Sequence, residues 1–315
     1  MLSYIIRRSG GMIVSIFIVI SVTFILMHSV PGNPASVMLG PNATPEQVAS
    51  LNESWGLNRP IWTQYYKYVA NVFQGKFGKS IYYQKPVLNI ISQRAETSIF
   101  LGLMSLIVVV SVGVSGGIIA SIKPNSWLDN LLLLVALAGA SIPSFWLGLM
   151  LMNLFSGQLH ILPSSGFTSV LKTGNIVNLK NLILPSIALG FVNAALVARS
   201  ARSSMLDVLN REYVNTARAK GLTEMRVIIK HAFRNAAIPI TTIISFTFAK
   251  MVSAAVVTEN VFALPGIGSL VVQGILKRDY PVIQGVMLVV AILYVVINFL
   301  TDLTYGYLDP RIRYS

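Results

Sequence analysis

The sequence predicts an all-α polytopic membrane protein of six transmembrane helices, with a small outer subdomain after the first. Three observations carry that prediction. Hydrophobic residues make up 54% of the 315 positions and charged residues 11%, too apolar a balance for a soluble enzyme of this length. Six stretches of near membrane length are almost free of Asp, Glu, Lys and Arg, and a bilayer core of about 30 Å needs roughly 20 such residues as a helix. The 24 Lys and Arg against 11 Asp and Glu leave a formal charge of +13, which a membrane chain gathers in the loops of one side. With no Cys in the chain, disulfides, thiolate nucleophiles and cysteine-held metals are excluded.

The first span runs from about Gly11 to Val30, behind the basic pair Arg7 and Arg8. It is near full membrane length, and no small-residue cleavage pattern follows it, so it reads as an anchor rather than a cleaved signal. Residues 31–95 are too many for a simple connector and carry Trp55, Trp62, Tyr65, Tyr66, Tyr68 and Phe73. They predict a folded outer subdomain with a docking surface for an external partner. One helix is expected over Pro45–Trp55, with Thr44 as N-cap and Pro45 at its first position, and another over Ile61–Phe73. Within it, GKFGKS at Gly75–Ser80 lacks the earlier glycine of a phosphate-binding loop, because Phe73 stands there; it reads as a surface turn.

The remaining spans are expected at Thr97–Ile122, Leu131–Phe155, Leu182–Ala198 (extending towards Ser203), Ala237–Thr258 and Val282–Thr301. Gly113 and Gly117 in the second permit close helix approach. All six should be helices, since lipid gives an unpaired backbone group no water to bond. Arg199, Arg202, Arg211, Arg218, Lys220, Arg226, Lys230, Arg234, Arg311 and Arg313 fall on the side of the N-terminus, against Lys172, Lys180, Lys277 and Arg278 in the short loops opposite. Both termini are therefore expected on the cytoplasmic side. The division is 1–30 for the anchor and first helix, 31–95 for the outer subdomain, 96–305 for the helical core and 306–315 for the tail.

No catalytic constellation is visible. His28, His160 and His231 fall at or beyond span ends and no carboxylate lies mid-span, which leaves neither a nucleophile with its base nor a metal set. Lys250 is the one charge inside a span. It either snorkels outwards or faces a central pathway and meets an anionic part of a solute. Leu264, Pro265, Gly266, Ile267 and Gly268 are expected to break the helix and fold back over the outer mouth. Between Arg199 and Arg234 the pattern is helix, turn, helix. Ser203–Ala219 runs without Gly or Pro, Gly221 follows as a stop, and Thr223 begins a second helix.

In that loop EYVNTARAKGLTEMRVIIKHAFRNAAIP, from Glu212 to Pro239, resembles the EAA loop of bacterial ABC importer permeases, in the form carried by the dipeptide, oligopeptide and nickel branch. The resemblance continues through VPGNPA at Val30, GLNRP at Gly56, SIPSFWLGL at Ser141, LPSSGF at Leu162, and ENVFALPGIG with RDYP between Glu259 and Pro281. Lys76 stands where the family commonly has Asp. The resemblance implies a type I importer permease fold in a bacterial inner membrane. It also implies assembly with a second homologous permease, two cytoplasmic ATPase subunits and an extracytoplasmic substrate-binding protein. The coupling loop would span about 204–235, with Glu212, Ala217, Ala219 and Gly221 as coupling positions. Glu259, Pro265, Gly266 and Gly268 would form an outer gate loop. No cofactor, metal or nucleic acid is implied for this chain itself, ATP and magnesium belonging to the partner subunits. Short peptides, nickel or a metal chelate are the solutes of the branch. An ion-coupled secondary transporter would need midplane carboxylates or an inverted repeat, and an intramembrane enzyme would need catalytic groups; neither set is visible.

Overall fold

The computed structural model describes residues 2–29, 32–40 and 42–308. Val30 and Pro31, where the first span was expected to end and the outer subdomain to begin, and the tail with Arg311 and Arg313 lie outside the described residues, as do the side chains of Arg7 and Arg8. Among the described residues the regular structure is helical, with one isolated bridge between Lys79 and Pro86. Helix α1 spans Leu2–Ser29. The outer segment holds α2 (Pro34–Leu39), α3 (Pro45–Trp55) and α4 (Ile61–Phe73), the last two with the bounds that composition suggested. Thr44 caps α3 as expected, and Gln47 returns a bond to the Thr44 backbone, which closes a reciprocal capping box.

Helix α5 runs over Val87–Ile122 with a π-helical stretch at Val109–Val114. The predicted third span is not one straight helix. It consists of α6 (Trp127–Ser141) and α7 (Ser144–Gln158), bent by 102° at Ile142 and Pro143. Pro143 has no N–H to donate and forces the residue before it out of helical geometry; Ile142 is extended at ψ 126. Helix α8 follows a 3-10 stretch at Ile176–Leu182 and runs from Ile183 to Leu209, further than the predicted end near Ser203. The stretch expected as one helix over Ser203–Ala219 is broken at Asn210 and Arg211, and α9 (Glu212–Ala219) starts afresh. Helix α10 spans Glu224–Val261; Thr223 occupies its N-cap position without a side-chain hydrogen bond. Helices α11 (Ile267–Leu276) and α12 (Tyr280–Leu308) complete the order. Ile267 and Gly268 thus open a helix, where continuous irregular backbone was expected. Among the described residues five helices are long and apolar enough to cross a membrane, and the bent α6–α7 pair counts as a sixth span if its two limbs cross together.

Helix α8 is the hub, packed against α5, α6, α7 and α10. It buries Leu184, Leu189, Val197 and Met205 among Ala188, Ala194, Ala195 and Ala201, small residues that let backbones approach. A methyl group built on Gly117 of α5 would lie 2.5 Å from the Ala198 carbonyl oxygen, and one on Gly113 would lie 2.9 Å from that of Ala194. A second, smaller core joins Val87, Ile90 and Ile91 of α5 to Ile267 and Leu270 of α11 and to Val282 and Val286 of α12. The outer helices lean on the bundle. No residue of α3 or α4 is fully buried, and α4 is held to α1 by Ser21 Oγ to Tyr65 Oη at 2.6 Å and by Phe24 against Tyr65 and Tyr68. Trp62, Tyr66 and Phe73 of α4 remain exposed.

Replacing Gly117 by Val is expected to destabilise the fold by about 1–3 kcal/mol, the usual range for overpacking. Gly116→Ala should be neutral, since nothing lies within 4 Å of its would-be Cβ. Thermal unfolding of the two detergent-solubilised variants compares them directly.

Candidate functional sites at the two ends of the bundle

At one end, α9 packs against the bundle after the short turn at Asn210 and Arg211. Its Val214 and Ala217 are buried in the main core with Val227, Ile228 and Ala232 of α10. Glu212, Tyr213, Ala219 and Gly221 are exposed. Of the four positions named from the motif, Ala217 therefore anchors the helix from within, while the other three lie on the open face. Gly221 adopts φ +78 and its N–H donates to the Arg218 carbonyl at 2.9 Å, the left-handed C′ position that a side chain disfavours. Arg218 donates to Glu224 at 2.8 Å across this turn, which ties α9 to the start of α10, and it also reaches Asn215 within α9. The adjacent Glu224 carboxylate raises the Arg218 pKa further above its ordinary value, keeping it charged. Glu212 lies in the first turn of α9, where a negative charge suits the exposed N–H groups.

The same end holds a buried ion pair that the motif did not mark. Arg202 of α8 donates through Nε and Nη2 to the two oxygens of Asp129, both at 2.6 Å. Asp129 is 1% exposed and accepts the Asn125 N–H as well. A two-pronged pair of this kind fixes orientation as well as distance. It locks the turn between α5 and α6 against α8.

At the opposite end, Glu259 is 1% exposed and stands at the last turn of α10. Its carboxylate accepts the Ser98 hydroxyl of α5 at 2.6 Å and the Ser269 N–H of α11 at 2.8 Å. Ser98 Oγ in turn accepts the Ile267 N–H at 2.8 Å. Gly266 packs so closely on that carboxylate that a β-carbon would collide with it, and a β-carbon on Gly268 would lie 2.6 Å from the Val256 Cα. Ahead of them, Pro265 follows a turn in which Ala263 takes φ +48 and the Leu264 N–H returns to the Glu259 carbonyl at 2.8 Å. The four residues named as a gate loop are thus brought together as a single knot. Lys250 stands apart on an exposed stripe of α10 with Thr242, Phe246, Ser253 and Val257.

A second knot lies beside the first. Asp279, 1% exposed, accepts from Ser80 Oγ and from the N–H groups of Ile81 and Tyr82, each N–H at 3.1 Å. Tyr83 Oη donates to Gln273 at 2.8 Å, and the Lys277 ammonium lies 3.5 Å from the centre of the Tyr82 ring. The turn that GKFGKS suggested is therefore a latch between the outer segment and α11. Sequence reasoning quoted RDYP only as a motif. The pairing partner lies 199 residues away, and the one available signal was a lone carboxylate among Lys277, Arg278 and Tyr280. Among the described residues no group of three or more His, Asp or Glu is placed to hold a metal.

The family described as binding-protein-dependent transport system inner membrane component matches residues 113–314, and its N-terminal counterpart matches residues 1–102. The chain belongs to this family. It is a multi-pass inner membrane permease of the ABC transporter class. Over 311 residues, 99% of each chain, it is 42% identical to the probable peptide ABC transporter permease protein y4tP of Sinorhizobium fredii. It is 40% identical to the dipeptide transport system permease protein DppB of Alkalihalophilus pseudofirmus and 38% identical to the glutathione transport system permease protein GsiC of Escherichia coli, each over the whole of both chains. In fold it matches a chain of the inward-facing MetNI methionine ABC transporter with a TM-score of 0.58, at 17% identity, over 70% of this chain and 96% of that one. The permease fold expected from the motifs is the fold found.

Asp279→Ala is expected to free the latch by leaving the Ser80 hydroxyl and the N–H groups of Ile81, Tyr82 and Val282 without this acceptor, a loss of about 3 kcal/mol. Limited trypsin digestion should then cleave after Lys79 faster than in the parent, while cleavage elsewhere is unchanged.

Proposed function

We propose that the chain is the transmembrane permease of an ATP-driven, binding-protein-dependent importer that moves short peptides or a related small solute into the cytoplasm by alternating access. It would pair with a second homologous permease, two ATPase subunits and an extracytoplasmic substrate-binding protein. The full-length likeness to permeases named for peptides, a dipeptide and glutathione supports the peptide class over nickel or a metal chelate. The carrying observation is the coupling end. A short helix anchored in the core by Val214 and Ala217 presents a rigid open face bearing Glu212, Ala219 and Gly221. A small residue on such a face lets a partner groove seat closely, and a helix held from within passes the partner's movement to α8 and α10 rather than absorbing it. ATP and magnesium then belong to the partners, and the work of this chain is conformational.

Under the same proposal both termini and α9 face the cytoplasm and the Glu259 knot faces outwards, as the basic residues suggest. A single cysteine at Asn210 should resist an impermeant thiol reagent applied from outside, and one at Gln158 should react; labelling of Asn210 from outside reverses the orientation. Lys250, on its exposed stripe, is assigned to the pathway shared with the second permease. Lys250→Met keeps the stem and removes the charge, so uptake should fall with assembly intact; unchanged uptake would return Lys250 to a snorkelling role.

The test of the coupling proposal is Ala219→Trp in the assembled transporter. Bulk on the open face should abolish peptide uptake and substrate-stimulated ATP hydrolysis while docking of the binding protein survives. Normal uptake and normal stimulation in that variant would remove the coupling role of α9. Gly221→Ala should act more weakly, costing about 1–2 kcal/mol in the left-handed turn.

A further inference from the structure

On the flank of the bundle where α5, α6 and α8 meet, the chain leaves a crevice of about 50 Å³, space for about three or four groups the size of a water or a methylene. Gly116 of α5, Leu132 and Ala136 of α6, and Phe191 and Ala195 of α8 line it, with Arg199 at its α9 end. Among the described residues none of α10 contributes, so the crevice lies apart from the Lys250 stripe. A β-carbon built on Gly116 meets nothing within 4 Å, so the space beside it is unfilled. The walls are apolar and offer water too few partners to stay. Val112 and Val135 of the lining are 45% and 44% exposed, and Leu131 and Leu134 on the same helix as Val135 are exposed as well. The crevice therefore opens to the outside of the bundle, on a side that meets hydrocarbon in a membrane.

The Arg199 end has the chemistry of a headgroup layer. Arg202 also borders the crevice, but it is engaged by Asp129, which accepts the Asn125 N–H as well. Arg199 stands three residues from Arg202, about 4.5 Å along the helix. Among the described residues neither Arg199 nor the Lys123 side chain has a hydrogen-bond or ion-pair partner, and Lys123 is two residues from Asn125 on the same turn. Trp127, two residues before Asp129, is 75% exposed. An indole so placed at the end of an apolar helix suits the boundary between hydrocarbon and headgroups. With Asp129 paired, Arg199 and Lys123 leave uncompensated positive charge at this level.

We propose that this crevice binds one anionic phospholipid of the phosphatidylglycerol type. The Arg199 guanidinium donates to the phosphodiester oxygens, Lys123 adds a second charge nearby, and a stretch of acyl chain fills the space beside Gly116. A planar guanidinium suits a phosphate in this two-pronged way. An anionic headgroup is preferred to a zwitterionic one because Asp129, the nearby carboxylate, is already paired, which leaves a lipid ammonium without a partner beside two cations. Gly117 and Ala198, which touch across the α5–α8 joint, both line the crevice, so an occupied crevice bears on that joint. The leaflet concerned is the cytoplasmic one under the orientation given above; the binding itself depends neither on that orientation nor on the importer reading.

The test uses the full chain in detergent, titrated with dioleoylphosphatidylglycerol or dioleoylphosphatidylcholine and read by native mass spectrometry as the fraction carrying one lipid. The anionic lipid is expected to bind about fivefold tighter, the effect of roughly one basic residue at a headgroup. Arg199 is exposed, so Arg199→Gln leaves the fold alone and should remove that preference. Gly116→Leu places its side chain in open space; it should weaken both lipids about tenfold, through the loss of chain burial, and keep the preference. Glycerol 3-phosphate, the same phosphate chemistry without chains, should not compete at about 10 mM. Equal affinity for the two lipids, an undiminished preference in Arg199→Gln or unchanged binding in Gly116→Leu would each overturn the proposal, and competition by glycerol 3-phosphate would replace it by a bare phosphate site. In the assembled transporter a photoactivatable residue at Val135 should cross-link to phospholipid. Cross-linking to a second permease instead assigns the crevice to a subunit interface and removes the lipid.

Discussion

In hydrocarbon no water is available to a free backbone N–H or C=O, so the chain must be helical wherever it crosses and must find other partners wherever a helix stops. This constraint explains where the acidic residues went. The chain has only 11 Asp and Glu, and four of them take backbone N–H groups at interruptions between helices. Glu259 accepts from Ser269 at the start of α11, and Asp279 from Ile81 and Tyr82 in the latch. Glu96 accepts from Leu171 and Asp129 from Asn125. Each carboxylate also binds a side chain from a different element: Ser98, Ser80, Ser169 and Arg202 respectively. The satisfied break thereby becomes a tie between helices. A carboxylate has room for several acceptor bonds, so one residue does both.

That economy accounts for the division between what was legible in the sequence and what was not. Spans α1, α5, α8, α10 and α12 follow from apolar length alone, because length against bilayer thickness needs no partner. Helices α3 and α4 follow from local cues, Thr44, Pro45 and aromatic spacing. The breaks were harder. Pro143 was in plain sight, yet its 102° bend depends on packing that lets α6 and α7 diverge. Asn210 and Arg211 carry no strong breaker, and only the burial of Val214 and Ala217 shows why the chain must turn there. The motif marked Ala217 as part of a coupling helix without indicating which way it faces. Asp279 and Asp129 act through partners far along the chain, which no local pattern reveals.

The two knots at the Glu259 end of the bundle have a physical consequence for each other. Ser98 on α5 and Glu259 on α10 hold the first turn of α11, and Asp279 and Gln273 hold its far end to residues 80–83. A 10-residue helix is marginal alone in water, so α11 owes its position to these ties and to the apolar contacts of Ile267 and Leu270. It can move as a body only with its ties or by breaking them. The outer segment is therefore joined to α11 by bonds rather than by simple proximity.

The two ends of the molecule are joined just as directly. Helix α10 is continuous for 38 residues, about 57 Å at 1.5 Å per residue, from Glu224 beside α9 to Glu259 in the outer knot. A displacement of its first turn reaches the outer end through one rod unless the rod bends on the way. Two features set where it can bend. The π-helical stretch Val227–Phe233 relaxes the hydrogen-bond register one turn before Pro239, and Pro239 itself cannot donate to the preceding turn. Both lie in the part of α10 nearest α9. Beyond Pro239 no second proline and no glycine interrupts the helix up to Val261, and Ile240, Met251 and Ala255 are buried in the main core. Motion at α9 is thus expected to pivot α10 near Pro239 and carry the remainder, with Glu259 at its tip, as one rigid arm. Under the importer proposal this makes α10 the shortest physical route between nucleotide closure and the outer mouth, with α8 as the surface on which it turns.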